Sequence, residues 1–354
     1  MKKMTGIMLL LCSIMPFMAC TSTEDEPYKP ETEQPSDDPN NNEEEDNDTT
    51  PVYGHLTTAN TVSDVVNHEA FNGFGRFILP AERSYNDNMT LQNVASMLPY
   101  HNYITGERAV ETINTMVDYV HDGNTLFYDI YSDADKQADS RKNNTGLFFF
   151  RGEPGKPFAI VCPGGGFSYV GAIHEGFPLA IALSKMGYNA FSIQYRTGGA
   201  QVACEDLAGA IDFIMRHAEE LQVSTDDYSL WGGSAGARMA AYLGSYGTQG
   251  FISAVHPRPA TVVMGYTGHS DYTRNDPPAY VVIGDNDAIA SASVMRQRVE
   301  NLQAIGIDAE FHLFPNLRHG FGLGIGTSAK GWEKDAVAFW EKYISRKNGK
   351  FNRK

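Results

Sequence analysis

Residues 228–238 read YSLWGGSAGAR and place Ser234 at the centre of a G-x-S-x-G pattern. The apolar run Tyr228–Trp231 before it has the length of a buried strand. The stretch Ala237–Tyr246 after it is rich in Ala, Leu and Met, as a helix would be. A strand that turns sharply into a helix exposes the residue at the bend and crowds its neighbours. Glycines at 232 and 236 relieve that crowding, so the Ser234 hydroxyl is expected to stand clear of a sheet.

Outward from this turn, the chain alternates short apolar runs with amphipathic ones. Strands are expected over Leu126–Tyr131, Leu147–Phe150, Phe158–Cys162, Ala190–Tyr195, Thr261–Tyr266, Tyr280–Ile283 and Ala309–Phe314. Helices are expected over Phe177–Met186, Cys204–Leu221, Val294–Ala304 and Trp332–Ile344. In Cys204–Leu221 the residues Leu207, Ile211, Ile214 and Ala218 recur at helical steps. Strand–helix alternation at this spacing predicts a mostly parallel sheet covered on both faces, an α/β fold.

A serine hydroxyl is a poor nucleophile until an imidazole takes its proton, and the imidazole needs a carboxylate to hold its tautomer. Two loops downstream supply such groups. The strand Tyr280–Ile283 runs into Gly284-Asp285-Asn286-Asp287, and Phe311–Phe314 runs into Pro315-Asn316-Leu317-Arg318-His319-Gly320. Both loops follow carboxyl ends of strands, on the side where Ser234 should emerge. His319, in a glycine-flanked loop, is favoured over His312, His269 and His174. His312 alternates with strand residues, and His269-Ser270-Asp271 and His174-Glu175 read as structural loops that could also line a pocket. Asp285 and Asp287 both stand near the strand end, with Asp285 suited to an Asx-type turn.

Acyl transfer also needs donors for the oxyanion. Ala235, at the start of the helix after Ser234, offers one backbone N–H. Pro163-Gly164-Gly165-Gly166-Phe167, directly after the strand Phe158–Cys162, offers Gly165 and Gly166. Glycines admit bare amides to a substrate oxygen without a Cβ in the way. Phosphate cradling is the rival use of a glycine run, but the chain has no G-x-x-x-x-G-K-[ST] and the loop lacks the dinucleotide spacing.

Taken together, PGGGF, GGSAG, the G-x-x-D turn and HGFGLG make residues from about 125 to 345 resemble the α/β-hydrolase superfamily, in particular its esterase and acetylxylan-esterase-like branch. The resemblance implies an eight-stranded sheet, a covalent acyl-serine mechanism on carboxylic esters, and no cofactor. It aligns Gly284 with the glycine of G-x-x-D, which selects Asp287 over Asp285. Pro163 stands where lipase-like enzymes carry the histidine of HGGG, which removes any hydrogen bond that side chain makes.

The ends read differently. Residues 1–20 have a basic start (Lys2, Lys3), an apolar run Ile7–Phe17 and Met18-Ala19-Cys20, which resembles a bacterial lipobox with Cys20 as the lipidated residue. The expected location is extracytoplasmic, with membrane contact only through that lipid. Residues 21–50 carry twelve Asp and Glu against one Lys, a net −11, with almost nothing apolar to bury. They read as a solvated linker. With Lys2 and Lys3 also set aside, only −6 of the whole-chain −15 belongs to residues 51–354, so the acidity implies no basic partner. Residues 51–122 read as an extension packed on the body, with Val110, Ile113, Val117 and Val120 marking one helix. Residues 123–346 are the hydrolase-like domain and 347–354 a basic tail. Cys162 and Cys204 lie in apolar surroundings, as buried thiols or as a pair.

No H-E-x-x-H or Cys/His ligand set requires a metal, and the basic tail alone does not support nucleic-acid binding. A serine peptidase of the prolyl-oligopeptidase type shares the triad, but residues 51–122 cannot build the large propeller domain such enzymes carry. A non-catalytic glycan-binding protein would not need all three groups. The expected partner is an ester, small or polymeric.

Overall fold

The computed structural model describes residues 54–80 and 82–344. The expectations for residues 1–20, Cys20, the linker 21–50 and the tail 347–354 lie outside the described residues. Eight strands form one sheet: β1 Phe127–Tyr128, β2 Gly146–Phe150, β3 Pro157–Cys162, β4 Asn189–Gln194, β5 Ser224–Gly233, β6 Thr261–Gly265, β7 Ala279–Gly284 and β8 Ala309–Phe314. Their order is β1-β2-β4-β3-β5-β6-β7-β8. β2 runs antiparallel to both neighbours, and every pairing from β4 through β8 is parallel. Every residue of β2, β3, β4, β6 and β7 is buried, as parallel strands covered on both faces must be.

The helices are α1 Val62–Val66, α2 Gly106–His121, α3 Asp133–Ala138, α4 Phe177–Lys185, α5 Ala200–Arg216, α6 Ala218–Leu221, α7 Ala235–Tyr246, α8 Ala292–Ala304 and α9 Trp332–Glu341. α4 and α9 pack on one another and on the sheet, and α7 packs on the sheet and against α5. Three tryptophans join β5 to α9: Trp231 lies 6.1 Å from Trp332 and 6.4 Å from Trp340, ring to ring.

Two expected elements differ in detail. The helix expected over 204–221 begins earlier, at Ala200, and breaks at His217 before the single turn of α6. The strand expected over 126–131 pairs only through Phe127 and Tyr128. Cys162 and Cys204 are both buried and free rather than bonded to each other. Burial pushes the Cys204 thiol up to about 12 and that of Cys162 well above its usual value, so both behave as small apolar side chains.

The segment before β1 packs on the sheet through aromatic contacts. The Phe74 and Phe127 rings stack at 5.1 Å, and Phe127 meets Phe148 of β2 edge to face at 5.1 Å. Helix α2 buries Ala109, Ile113, Met116 and Val117. Its inner face is therefore set one residue away from Val110 and Val120, which are half-buried. The stretches around Phe71–Pro80 and Asn86–Tyr103 form 3-10 turns that bury Phe71, Phe77, Leu91 and Val94.

Candidate active site

Ser234 sits at the junction of β5 and α7 with φ 52° and ψ −115°, a backbone conformation that costs an L residue about 1–3 kcal/mol. The junction is tight enough to dictate its neighbours. A Cβ on Gly236 would lie 1.8 Å from the Cys162 carbonyl oxygen, and one on Gly232 would lie 2.4 Å from the carbonyl carbon of Gly236. Close approach of β3 to this bend, rather than backbone freedom, is what demands glycine at 236.

The loops after β7 and β8 bring two further groups to Ser234. His319 Nε2 lies 3.0 Å from Ser234 Oγ, and His319 Nδ1 lies 2.8 Å from Asp287 Oδ2. The His319 and Asp287 side chains are 3% and 1% exposed, so bulk water does not compete for either contact. A carboxylate can only accept, so the imidazole proton belongs on Nδ1 and Nε2 is left to accept from the serine hydroxyl. The other Asp287 oxygen accepts from the backbone N–H groups of Ile289 and Ala290, each at 2.8 Å, which fixes the carboxylate plane. Asp285 does the work expected of a turn residue. Its Oδ1 accepts from the Asn316 N–H at 2.7 Å and ties the β7 loop to the loop that carries His319.

The competing histidines are engaged elsewhere. His312 stacks on Tyr280 at 4.3 Å. His269 is buried against Tyr242, and burial together with Arg298 pulls its pKa down to about 4. His174 donates from Nε2 to the Gly320 carbonyl at 3.0 Å; burial and the neighbouring His101 pull its pKa to about 4.

The glycine loop lies across from Ser234. Gly166 and Ala235 line the cleft beside the hydroxyl, and among the described residues neither amide meets a protein acceptor. Gly165, the other candidate donor of this loop, is placed differently. It is not among the cleft-lining residues, and at φ 134° it turns its carbonyl to accept from Ser168 and Tyr169. A Cβ there would meet the Tyr169 carbonyl oxygen at 2.1 Å.

The supports of this loop carry no sequence signature. Glu175 lies in a buried π-turn, Ala172–Gly176, and its Oε2 accepts from the Gly164 N–H at 2.6 Å. Its Oε1 stands 3.1 Å from His101 Nε2, an ion-pair distance without hydrogen-bond alignment. Burial opposes ionisation of Glu175, yet His101, His174 and the Gly164 amide together hold its pKa at about 2. His101 Nδ1 in turn lies 2.9 Å from the Tyr169 hydroxyl. The neighbours of His101 reach the other side of the site: Asn102 Nδ2 donates to the His319 carbonyl at 2.8 Å, and the Tyr103 hydroxyl accepts from the Arg318 N–H at 2.8 Å. The segment before β1 therefore touches both the glycine loop and the histidine loop.

Ser234 opens into a cleft of about 260 Å³ walled by Phe167, Arg238, Tyr266, Thr267, Ile289 and Ala290. Among the described residues, six non-glycine positions have positive φ, and three of them (Phe167, Ser234 and Tyr266) line this cleft. Strain concentrated there suits a site whose shape is held by its surroundings. A second cavity, about 190 Å³ between α2 and α4, does not include Ser234 among its walls.

Comparisons with known proteins fall on the same part of the chain. The BD-FAE family model matches residues 151–260, which include the glycine loop and Ser234. A comparison with curated protein sequences finds no significant match. Among solved structures, an acetyl ester-xyloside bifunctional hydrolase from Caldicellulosiruptor lactoaceticus superposes with a TM-score of 0.55 at 20% identity, covering 62% of this chain and 97% of that one. A propionate-bound thermophilic esterase from Thermogutta terrifontis gives 0.50 at 17% identity, over 57% of this chain and 92% of the other. The carboxylesterase Cest-2923 from Lactobacillus plantarum gives 0.50 at 19% identity, over 57% and 94%. The chain has the α/β-hydrolase fold.

Proposed function

We propose that the protein is a serine hydrolase that cleaves carboxylic esters through an acyl-serine intermediate, with acetyl or similar small acyl groups on a polysaccharide as its substrates. One observation carries the reading: a buried imidazole within hydrogen-bond reach of both a strained serine and a carboxylate. Esterases among the structural neighbours, and the acetyl ester-xyloside bifunctional hydrolase in particular, support the choice of substrate.

In this reading Ser234 Oγ attacks the ester carbonyl carbon as its proton passes to His319 Nε2. Asp287 stabilises the imidazolium, and the amides of Ala235 and Gly166 receive the negative oxygen. Collapse expels the alcohol, which takes the proton from His319. Water then attacks the acyl group by the same relay, releasing the acid and restoring the serine. Gly165 contributes by shaping the loop that presents Gly166. The sequence before residue 54 extends the proposal to an extracytoplasmic enzyme tethered through lipid on Cys20.

The test compares wild type with Ser234→Ala on 4-nitrophenyl acetate, an acetylated xylo-oligosaccharide and a dipeptidyl anilide. Ester turnover by the wild type and its loss in the variant is the expected result. Equal turnover by both proteins would remove Ser234 as nucleophile, and preferential cleavage of the anilide would replace the esterase by a peptidase.

A further inference from the structure

Arg238 stands one turn into α7, about 6 Å of helical rise beyond Ser234, and its N–H donates to the Ser234 carbonyl at 3.4 Å. Side chains on a helix lean toward its N-terminus, which here directs Arg238 back toward the serine and its cleft. It lines that cleft and is exposed. Its guanidinium has no carboxylate, carbonyl or ring partner among the described residues. The buried guanidiniums are treated otherwise: Arg196 is met by Asp139, Glu205 and Asp206, and Arg298 by Asp276.

Nothing inside the cleft neutralises this charge. Asp287, the acid of the same site, is turned away with both oxygens committed to His319, Ile289 and Ala290. Besides Ser234 and His319, the remaining walls are Phe167, Tyr266, Ile289, Ala290, Thr267 and backbone, none of which carries a charge. A guanidinium with its planar set of donors unspent, flanked by apolar walls, is built to read a carboxylate through two parallel hydrogen bonds. In a body with net charge −6, a lone cation beside the nucleophile also draws an anionic ester toward the one place where it can react.

Resting on the ester-hydrolase reading above, we infer that Arg238 selects esters bearing a carboxylate beside the scissile bond, as an acylated acidic sugar would. The carboxylate can belong to the alcohol or to the acyl group, and two probes separate these sources. One is 4-acetoxybenzoate, charged on the alcohol side; the other is the mono-4-nitrophenyl ester of succinic acid, charged on the acyl side. 4-Nitrophenyl acetate is the neutral reference.

The readout is the ratio of kcat/KM for each charged probe to that for the neutral one. Arg238→Gln is expected to lower that ratio about tenfold or more for one of the two probes, the range of a charge-assisted contact, and so to assign the side. Arg238→Lys, which keeps the charge and loses the fork, should recover part of it. A ratio unchanged for both probes in Arg238→Gln would overturn the inference. A binding arm separates the role of Arg238 from the fate of the hydrolase reading. Calorimetric affinity of Ser234→Ala protein for 4-acetoxybenzoate should exceed that for its neutral amide, and adding Arg238→Gln should abolish the difference. If Ser234→Ala still turned over the neutral ester, the hydrolase reading would fail while this arm still decided whether Arg238 binds the carboxylate.

Discussion

Replacing Glu175 by Ala tests whether the glycine loop is held by a buried charge. The carboxylate accepts from Gly164 at 2.6 Å on one oxygen and faces His101 at 3.1 Å on the other, with its side chain 3% exposed. Truncation strands the Gly164 N–H and the His101 ring where water does not reach and leaves a void behind Ser234. Leaving two buried polar groups without their partner, at about 1–3 kcal/mol each, costs about 3–5 kcal/mol together. For a body of this size that is a fall in Tm of about 6–10 °C. Gly164 begins the turn that presents Gly166, so a shift of that turn should forfeit much of one oxyanion donor, lowering kcat about 100-fold. Glu175→Gln should be far milder. Its amide oxygen can still accept from Gly164, and its NH₂ can donate to His101 Nε2 if the ring proton moves to Nδ1, toward the Tyr169 hydroxyl. That leaves a loss of charge assistance worth about 1–2 kcal/mol and a kcat within about fivefold of wild type. Thermal unfolding followed by circular dichroism, with kcat and KM on 4-nitrophenyl acetate, measures both effects. An alanine variant with unaltered Tm and kcat would refute the reasoning, as would a glutamine variant as damaged as the alanine one.

Asp287→Asn keeps an acceptor for Ile289 and Ala290 but loses the carboxylate that sets the His319 tautomer. Its kcat/KM is expected to drop about 10⁴-fold with little change in Tm, whereas the same change at Asp285 should act on stability alone. Asn102→Ala removes the donor to the His319 carbonyl; about 1 kcal/mol of stability should go, and steady-state kinetics should show kcat down about tenfold at constant KM, the split expected of a positioning residue. His174 refuses its proton until about pH 4, whereas in the unfolded chain it takes one up near 6.5. Stability should therefore fall as pH drops from 6.5 toward 4, by about 3 kcal/mol for this residue, and urea midpoints of His174→Gln should show a shallower slope across that window.

The elements that carry the reacting groups were legible because each is specified locally. The run YSLW, two glycines and an alanine-rich stretch describe a strand, a bend and a helix within nineteen residues, 228–246, and β5 and α7 form there. Burial on both faces likewise wrote β3, β6 and β7 as largely apolar runs, whereas β4 is interrupted by Ser192 and bounded by Asn189 and Gln194. The fold class followed from that alternation, and the eight-stranded sheet is the one the resemblance implied. Two features were less legible. Gly165 and Gly166 are indistinguishable as letters, and only the turn of the loop toward Ser168 and Tyr169 sends one carbonyl inward and leaves the other residue on the cleft. The helix breaks at His217 (φ −108°, ψ 16°) and the single turn after it ends at Gln222 in a left-handed conformation as the chain enters β5, details that helical periodicity does not report.

His101, Asn102 and Tyr103 were invisible for a stronger reason. Their partners Tyr169, His319 and Arg318 lie 68, 217 and 215 residues away. No local pattern links residues so far apart, and the intervening turns are 3-10 segments whose spacing suits neither a helix nor a strand. Yet these contacts bear on atoms that matter for the proposed chemistry. A hydrogen bond to the backbone carbonyl of His319 fixes the peptide from which the imidazole hangs, and the Tyr103 contact fixes the peptide before it. His101, from the same turn, completes the surroundings of the carboxylate that holds Gly164. One short segment outside the α/β-hydrolase core thus constrains both loops that face Ser234, and the distance between those loops sets the room available for a tetrahedral intermediate. The segment before β1 lines no part of the cleft itself but buttresses both loops that do, and its packing and its bearing on chemistry cannot be perturbed separately except at Asn102, where the side chain is exposed and its contact is a single hydrogen bond.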